Sequence, residues 1–309
     1  MIILELHSKQ KMKTFYLFIT LLCASSSFIG QDSYQDQFSV FFKAKDTLSQ
    51  KKILQEWTTS NPNDPELFTS YFNYYFQLSK QEIISLDSIA GKNESLQILD
   101  SADQTKGYFV SKTVFNSKTL EKAFNKINTG IKMYPTRLDM RFGKVYALSK
   151  NENWAAFTDE IIKAIDYSHE INNKWTWTNN TPIEDAENVF LESIQGYQNQ
   201  LYDTENDSLL KNMRQIALAI LKHYPNHVVS LSNVSITYLL TKQYDKALTP
   251  LLKAETIDPE DAIVLNNIAH AYKLKGDKKK SIEYYKKSIE FGDEWSKNFA
   301  RQQIKKLEE

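Results

Sequence analysis

The five histidines are the side chains best suited to metal binding or proton transfer, and they are widely spaced: His7, His169, His223, His227 and His270. A zinc-binding pair on one helical face needs two histidines four residues apart. His223 and His227 have that spacing, but Pro225 lies between them and would interrupt a helix. The sequence therefore predicts no metal site.

Motifs for nucleophilic, zinc-protease or phosphate-binding chemistry do not occur in the chain. The adjacent carboxylates of Glu184 and Asp185 stand at a predicted helix start, where the helix dipole favours negative charge. The single cysteine, Cys23, lies in an N-terminal segment with the features of a secretion signal. Cleavage of that segment would leave no thiol for catalysis, disulfides or metal binding. We predict a non-enzymatic protein with no catalytic residue and no cofactor.

The bulk composition favours helices and gives no sign of a nucleic-acid partner. The 309 residues include 8 glycines and 7 prolines, too few for the many tight turns of an all-β chain. Lys and Arg together number 38, as do Asp and Glu, so the formal net charge is zero. A chain that binds nucleic acid or a membrane surface through its bulk charge would be basic. We predict neither of these partners.

Residues 1–30 have the pattern of a secretory signal peptide. Lys9, Lys11 and Lys13 precede an apolar run, FYLFITLLCA, that ends at Ala24. The run has about ten apolar residues, whereas a membrane-spanning helix needs roughly 20. The pattern predicts an exported protein, periplasmic or at the cell surface, with no transmembrane span in the mature chain. Lipidation at Cys23 is the alternative, although lipoprotein signals carry a small residue in place of Leu22.

Two stretches near the C-terminus repeat each other with a period of 34 residues. With Val228 and Ala262 as first positions, large residues recur at positions 4, 7, 11 and 24, and small ones at 8, 20 and 27. The matching residues are Leu231, Val234, Ser235, Tyr238, Ala247, Leu251 and Ala254, and then Leu265, Ile268, Ala269, Tyr272, Ser281, Tyr285 and Ser288. Small residues let two antiparallel helices approach closely, and large ones fill the space between them. The period predicts two consecutive helical hairpins.

This pattern resembles the tetratricopeptide repeat, in which a proline at position 32 ends the second helix of each pair. Pro259 stands at that position in the first stretch. The resemblance implies an all-α fold, an α-solenoid of antiparallel helix pairs with a C-terminal capping helix. It also implies a scaffold for a protein or peptide partner. The overall texture of the chain resembles uncharacterised exported repeat proteins of Flavobacterium-like Bacteroidetes.

Prolines divide the rest of the chain less regularly. Pro62, Pro135 and Pro225 each close a helical run, at intervals of 73 and 90 residues. Neither interval equals one repeat. We therefore predict the following organisation: divergent helical pairs over 31–227 with insertions near 80–117 and 168–183, two regular units over 228–293, and a capping helix over 294–309. Phe72 stands at position 8, which is small in the family, and predicts a splayed hairpin.

The resemblance implies a partner-binding groove along the first helices of the two regular units. Its residues are Ser232, Asn233, Ile236, Asn266, Asn267, His270 and Lys273. Asn233 and Asn267 share position 6, where an amide can bond to the backbone of an extended peptide. The alternative is that each of these residues serves packing or is plain surface.

Trp175 and Trp177 alternate with polar residues in the second predicted insertion and form a candidate surface aromatic patch. Exposed tryptophans can anchor a partner protein or stack on a sugar, whereas buried ones would fill a gap between repeats. Three hypotheses follow: an interaction scaffold, an envelope assembly factor tethered through Cys23, and a glycan-binding protein.

Four D-[S/T]-aliphatic triplets begin at Asp46, Asp87, Asp100 and Asp207. They resemble an O-glycosylation sequence of Bacteroidetes. The alternative is helix N-capping, which favours the same residue types.

Overall fold

The computed structural model describes residues 33–90 and 95–309. The predicted signal segment and Cys23 lie outside the described residues. The described part of the chain contains thirteen α-helices and three β-strands, which divide between two compact units. The predicted all-α class of antiparallel helix pairs is confirmed, with one short sheet that the sequence analysis did not predict.

The first unit comprises Ser27–Asn153 and Lys174–Glu184. Its helices are α1 (Tyr34–Lys43), α2 (Thr47–Ser60), α3 (Pro65–Ser79), α4 (Ser117–Met133) and α5 (Leu138–Lys150). Three strands connect α3 to α4: β1 (Lys80–Asp87), β2 (Ser95–Leu99) and β3 (Thr105–Phe115). A single 3-10 turn, Thr178–Asn180, lies in the second segment of this unit.

The second unit includes Trp154–Asn173 and Asp185–Glu309. Its helices are α6 (Trp154–Glu170), α7 (Ala186–Tyr202), α8 (Leu210–His223), α9 (Val228–Leu240), α10 (Tyr244–Ile257), α11 (Ala262–Lys275), α12 (Lys278–Phe291) and α13 (Glu294–Glu308). A 3-10 turn, Asp207–Leu209, precedes α8. Across the described residues of both units, every helix is too short or too polar to span a bilayer.

Four helices end in the same way, at a residue that precedes a proline. These residues are Asn61, Tyr134, Tyr224 and Asp258, with φ between −146° and −123° and ψ between 66° and 89°. A following proline disfavours helical backbone, so each helix stops there. The next helix begins three residues after the proline, at Pro65, Leu138, Val228 and Ala262. The long proline intervals are thereby explained: one contains the sheet, and the other contains the four helices α5 to α8.

The small and large positions of the repeat lie in the core. Positions 20, 24 and 27 are buried in three second helices: Ala123, Ile127 and Gly130 in α4, Ala247, Leu251 and Ala254 in α10, and Ser281, Tyr285 and Ser288 in α12. The apolar members of this set contribute about 25 cal/mol of stabilisation for each Å² of apolar surface that they bury.

The predicted splaying at Phe72 is wrong. The Phe72 ring is buried, stacks on Phe76 and packs against Gly143 of α5, where a Cβ would lie 3.5 Å from the ring. The helices α3 and α4 approach closely at Gly130, where a Cβ would lie 2.9 Å from the Cβ of Phe68. Glycines on the neighbouring helices therefore make room for the aromatic side chains of α3.

The first predicted insertion forms a three-stranded antiparallel sheet with the strand order β1-β3-β2. Phe109 of β3 lies directly opposite Leu86 of β1 and Leu96 of β2. Opposite residues point to the same face of a sheet, so these three side chains form one row across it. Leu86, Leu96 and Phe109 are all exposed. The sheet thus carries an open apolar face.

The C-terminal helix α13 covers the end of the second unit. Ala300 lies in a core cluster with Ala269 of α11 and Tyr285 of α12, and Phe299 packs against that cluster. Trp295 stays exposed and stacks on Phe299 with ring centroids 5.5 Å apart. The predicted capping helix is confirmed.

Candidate functional site

Most of the predicted groove residues are buried. Ser232, Asn233 and Ile236 of α9 are buried, as are Asn266 and Asn267 of α11. The amide of Asn233 donates to Gln195 Oε1 of α7 at 2.6 Å. Asn266 Oδ1 accepts a hydrogen bond from Ser288 of α12 at 2.7 Å. These five side chains pack inside the second unit and are not available to a partner, which corrects the predicted groove.

The two remaining groove residues are only partly buried. Lys273 donates to Gln303 Oε1 of α13 at 2.8 Å. Burial, together with the nearby charge of Lys273, lowers the pKa of His270 from 6.5 to about 4. His270 is therefore neutral at physiological pH. Lys273 is thus held within the second unit, whereas the partly buried His270 has no hydrogen-bond partner among the described residues, so its role in a groove stays a prediction.

The prediction of a surface patch at Trp175 and Trp177 is wrong for Trp175, which is only 1% exposed. Its backbone accepts from the Ile183 N–H at 3.0 Å, and the Arg141 guanidinium lies 5.7 Å from its ring. Trp177 is partly open and packs edge-on against Phe142 at 6.4 Å. The segment folds back on the first unit, so the two rings form no shared stacking surface for a sugar.

A buried ion cluster fixes this segment in place. The Arg137 side chain is fully buried and reaches Glu66 Oε1 at 2.6 Å and Asp139 Oδ2 at 2.7 Å. Glu66 also accepts the Asn179 N–H at 2.8 Å. Burial alone would lower the pKa of Arg137, but hydrogen bonds to Asp139 and Glu66 raise it above its ordinary value. All partners of the arginine belong to the fold, so the cluster is structural.

The histidines of the second unit form local contacts and no metal site. His223 Nε2 lies 2.6 Å from Asp166 Oδ1, and its ring stacks on His169 with centroids 4.4 Å apart. His227 Nδ1 lies 2.7 Å from Ser230 Oγ. Within residues 33–90 and 95–309, no group of three or more His, Cys, Asp or Glu side chains is placed to hold a metal ion.

Asp185 and the aspartates that begin the D-[S/T]-aliphatic triplets lie at helix starts, at a strand end and in turns. Asp185 precedes α7, and both of its carboxylate oxygens accept from Asn188 at 2.9 Å. Asp46 caps α2 through the Ser49 N–H at 3.1 Å. Asp87 instead ends β1 and pairs with Lys112 at 2.6 Å. Asp100 lies in the turn before β3, and Asp207 begins a 3-10 turn. Helix capping therefore explains the triplet at Asp46 but not the one at Asp87.

A cleft of about 310 Å³ lies in the first unit, between α2, α3 and α4. We call it the tyrosine cleft. Its lining residues are Lys51, Gln55, Tyr71, Tyr74, Tyr75, Leu78, Thr119 and Lys122. Each helix contributes residues three or four positions apart, which places them on one helical face. None of these lining residues is acidic.

Three tyrosines of α3 form the floor of the tyrosine cleft. The rings of Tyr71 and Tyr75 stack with centroids 6.0 Å apart, and Tyr74 meets Tyr75 edge-on at 5.1 Å. The Tyr71 hydroxyl is held by the Leu54 carbonyl at 3.2 Å and by Thr58 at 2.9 Å. The hydroxyls of Tyr74 and Tyr75 have no hydrogen-bond partner among the described residues. Two phenols thus remain free to bond to a bound molecule.

Lysines supply the charge of the tyrosine cleft. Lys122, which lines the cleft, lies 5.9 Å from the centre of the Tyr75 ring, and the ammonium of Lys126, which is outside the lining, lies 4.1 Å from that of Tyr71. Burial lowers the pKa of Lys126 and raises the pKa of Tyr75. Lys51 and Lys122 are exposed and are not paired with any carboxylate of the described chain. The cleft therefore combines an aromatic floor with unpaired positive charge at its rim.

The sequence contained a partial signal for this cleft. Tyr71 and Tyr75 occupy positions 7 and 11 of the repeat, where large residues usually pack between helices, so their role in a cleft was not evident. Lys51 and Lys122 lie on second helices, at positions that appear as ordinary surface in the sequence. The cleft arises only when α2 and α4 lie on either side of α3.

Comparison with known proteins identifies one segment of the chain. Residues 262–291, which form α11 and α12, match the tetratricopeptide repeat family. This segment is a tetratricopeptide repeat. No curated protein matches the chain in sequence.

Several solved repeat structures are similar to the chain at low identity. YrrB, described as a TPR protein with an unusual peptide-binding site, is 14% identical with a TM-score of 0.39, over 81% of this chain and 97% of that chain. The C-terminal part of a TPR repeat-containing protein from Cytophaga hutchinsonii has the same identity and TM-score, over 84% and 79%. The TPR2AB domain of yeast Sti1, in complex with pHSP90, is 10% identical with a TM-score of 0.31, over 89% and 95%.

Proposed function

We propose that the protein is a non-enzymatic helical-repeat scaffold that binds a partner protein, and that the tyrosine cleft receives an acidic segment of that partner. Tetratricopeptide-type helix pairs build binding surfaces for other proteins, which supports the general role. The observation that carries the specific role is the tyrosine cleft, in which free phenols and unpaired lysines surround a concave space.

The chemistry of the cleft selects the partner. Tyrosine rings provide apolar area and a hydrogen-bonding group at low entropic cost, and they are enriched at binding hot spots. The ammonium groups of Lys51 and Lys122 attract carboxylates and repel basic segments. An acidic segment with an aromatic or aliphatic side chain satisfies both features.

We also propose that the protein acts outside the cytoplasm. The support is the sequence pattern of residues 9–30, with three lysines before a short apolar run. Cell fractionation followed by N-terminal sequencing tests this proposal. A mature N-terminus near Gly30 is the expected result. An unprocessed chain in the cytoplasm would contradict it. Metabolic labelling with a lipid precursor tests the alternative: a label that the variant Cys23→Ser lacks would show that the protein is anchored to a membrane through Cys23.

A peptide array tests the cleft. Purified full-length protein is applied to short immobilised peptides that vary the number of Asp, Glu, Lys and aromatic residues. We expect binding to rise with acidic content and with one central aromatic residue, and to fall as salt screens the charges. The variant Lys51→Glu with Lys122→Glu should bind the best acidic peptides about tenfold more weakly or worse.

Charge reversal elsewhere provides the matched control. Lys278 and Lys279 are exposed lysines at the start of α12, in the other unit. Their double change to Glu alters the net charge of the protein equally but leaves the cleft intact. Equal binding loss in both double variants, or binding that ignores acidic content, would reject the cleft as the recognition site. Binding of the protein to immobilised polysaccharides, together with no binding to any peptide, would reject a protein partner.

A further inference from the structure

The tyrosine cleft contains a buried phenol whose hydroxyl has no partner. Tyr74 is only 7% exposed, and it lines the cleft beside Tyr75. Neither hydroxyl forms a hydrogen bond with any other described residue. A polar group that is buried without a partner destabilises the protein, and a bound acceptor removes that cost. The ligand of the cleft should therefore bring a hydrogen-bond acceptor to Tyr74.

The two lysines at the rim lie on opposite sides of the tyrosine floor. Lys51 belongs to α2 and Lys122 to α4, and both helices pack against α3, which carries the tyrosines. The axes of packed helices lie about 8–10 Å apart. A ligand that contacts both ammonium groups must therefore cross α3, over a distance on the order of 10 Å.

An extended chain suits this crossing better than a helix does. The cleft holds about 310 Å³, whereas a helix with its side chains is about 10–12 Å across. An extended chain advances about 3.3 Å per residue, and its side chains alternate between two faces. Residues i, i+2 and i+4 therefore share one face and span about 13 Å, which is the order of the crossing.

We propose that the acidic segment binds in an extended conformation, with carboxylates at positions i and i+4 and an apolar side chain at i+2. This inference rests on the proposed function of the tyrosine cleft and specifies its ligand. One carboxylate pairs with Lys51 and the other with Lys122, while the apolar side chain packs on Tyr75 and Leu78. The Tyr74 hydroxyl donates to a backbone carbonyl, the acceptor that remains between the two carboxylates. Carboxylates at i+1 and i+3 would point away from the floor, so acidic content alone is not sufficient.

Two peptides of equal composition test the spacing. Both have blocked ends, and their central residues are Glu-Ser-Phe-Ser-Glu in the first peptide and Ser-Glu-Phe-Glu-Ser in the second. Fluorescence anisotropy with the full chain measures the two dissociation constants. We expect the first peptide to bind about fivefold more tightly, because only its glutamates share a face with the phenylalanine. Equal affinities would overturn this inference but not the proposed function, whereas no binding of either peptide would overturn both.

Lysine variants test which groups read the spacing. We expect Lys51→Met and Lys122→Met each to reduce the fivefold preference to about twofold, and the double variant to abolish it. Lys278→Met, at an exposed lysine of the other unit, is the matched control and should keep the full preference. A preference that persists in the double variant overturns the proposal.

Tyr74→Phe tests the hydroxyl alone. We expect the first peptide to bind about fivefold more weakly, as is usual for the loss of one hydrogen bond. The urea midpoint of the free protein should stay the same or rise, because the hydroxyl has no partner among the described residues. An unchanged affinity would contradict the assignment of Tyr74 as a donor to the segment.

Discussion

The contact between α3 and α4 depends on the missing side chain at Gly130. A Cβ there would lie 2.9 Å from both the Phe68 Cβ and the Met140 Sδ. We expect Gly130→Ala to lower the free energy of unfolding by about 1–3 kcal/mol, because buried atoms must shift to admit the methyl group. Urea unfolding measures the change. Gly196→Ala is the control, since a Cβ at Gly196 meets nothing within 4 Å and should stabilise α7 by up to about 1 kcal/mol.

The buried guanidinium of Arg137 is expected to contribute strongly to the stability of the first unit. Replacing it with alanine would leave the carboxylates of Glu66 and Asp139 without their partner. We expect Arg137→Ala to cost about 3–5 kcal/mol of unfolding free energy. The exposed pair of Lys52 with Glu56 gives the comparison, and Lys52→Ala should cost less than about 1 kcal/mol. Equal small effects in thermal unfolding would show that the buried cluster contributes little.

Protonation of His270 should couple stability to pH. Its pKa in the folded protein is about 4, below its ordinary value of 6.5, because burial disfavours the charged ring. The unfolded chain therefore takes up the proton first as the pH falls. This contribution to stability is complete above pH 6.5 and is lost as the pH falls from 6.5 towards 4. His270→Gln should flatten the dependence of urea midpoint on pH in that window. An unchanged slope would mean that His270 protonates freely in the folded state.

The sequence predicted which repeat positions carry large and small core residues, but it did not predict which helical faces are exposed to solvent. The repeat positions predicted which residues of α10 and α12 are buried. The sequence could not show that Asn233 bonds to Gln195, because α7 has no clear repeat pattern and lies 38 residues earlier in the chain. Whether a helical face is open depends on such distant partners.

At the level of elements, the segment Lys174–Glu184, between α6 and α7 in the chain, packs into the first unit. Trp175 is fully enclosed, and Thr176 pairs through its backbone with Thr136 and Leu138. We expect Trp175→Ala to lower the unfolding free energy by about 3–5 kcal/mol, the usual cost of removing a buried aromatic side chain. Trp177→Ala should cost about 1 kcal/mol or less, because its ring is partly solvated. Denaturant unfolding of the two variants separates these outcomes, and similar losses would contradict the difference in burial.

The sheet was predictable in part. The segments EIISL and YFVSKTVF contain the alternating, β-branched and aromatic residues of strands. The interval between Pro62 and Pro135 predicted an insertion near 80–117 but not its strands. The strand order could not be derived from the sequence, because β3 pairs with both β1 and β2 and the pairing depends on contacts far apart in the chain.

At the scale of the whole molecule, the helical architecture follows from prolines and small residues at fixed spacing. Four helices end at a residue that precedes a proline, and this effect is local, so the helix ends could be predicted without knowledge of distant contacts. The tyrosine cleft could not be predicted in this way. It needs α2 and α4 on either side of α3, and the sheet separates α4 from α3 in the chain.

A charge-swap titration tests whether the tyrosine cleft recognises an acidic segment. Fluorescence anisotropy compares a labelled acidic peptide with its twin, in which lysine replaces each acidic residue. We expect the wild-type protein to bind only the acidic peptide. We expect the double variant Lys51→Glu with Lys122→Glu to lose binding of that peptide and to bind its basic twin instead. Failure of the double variant to reverse the preference, with wild-type binding and folding intact, would show that these lysines do not contact the bound segment.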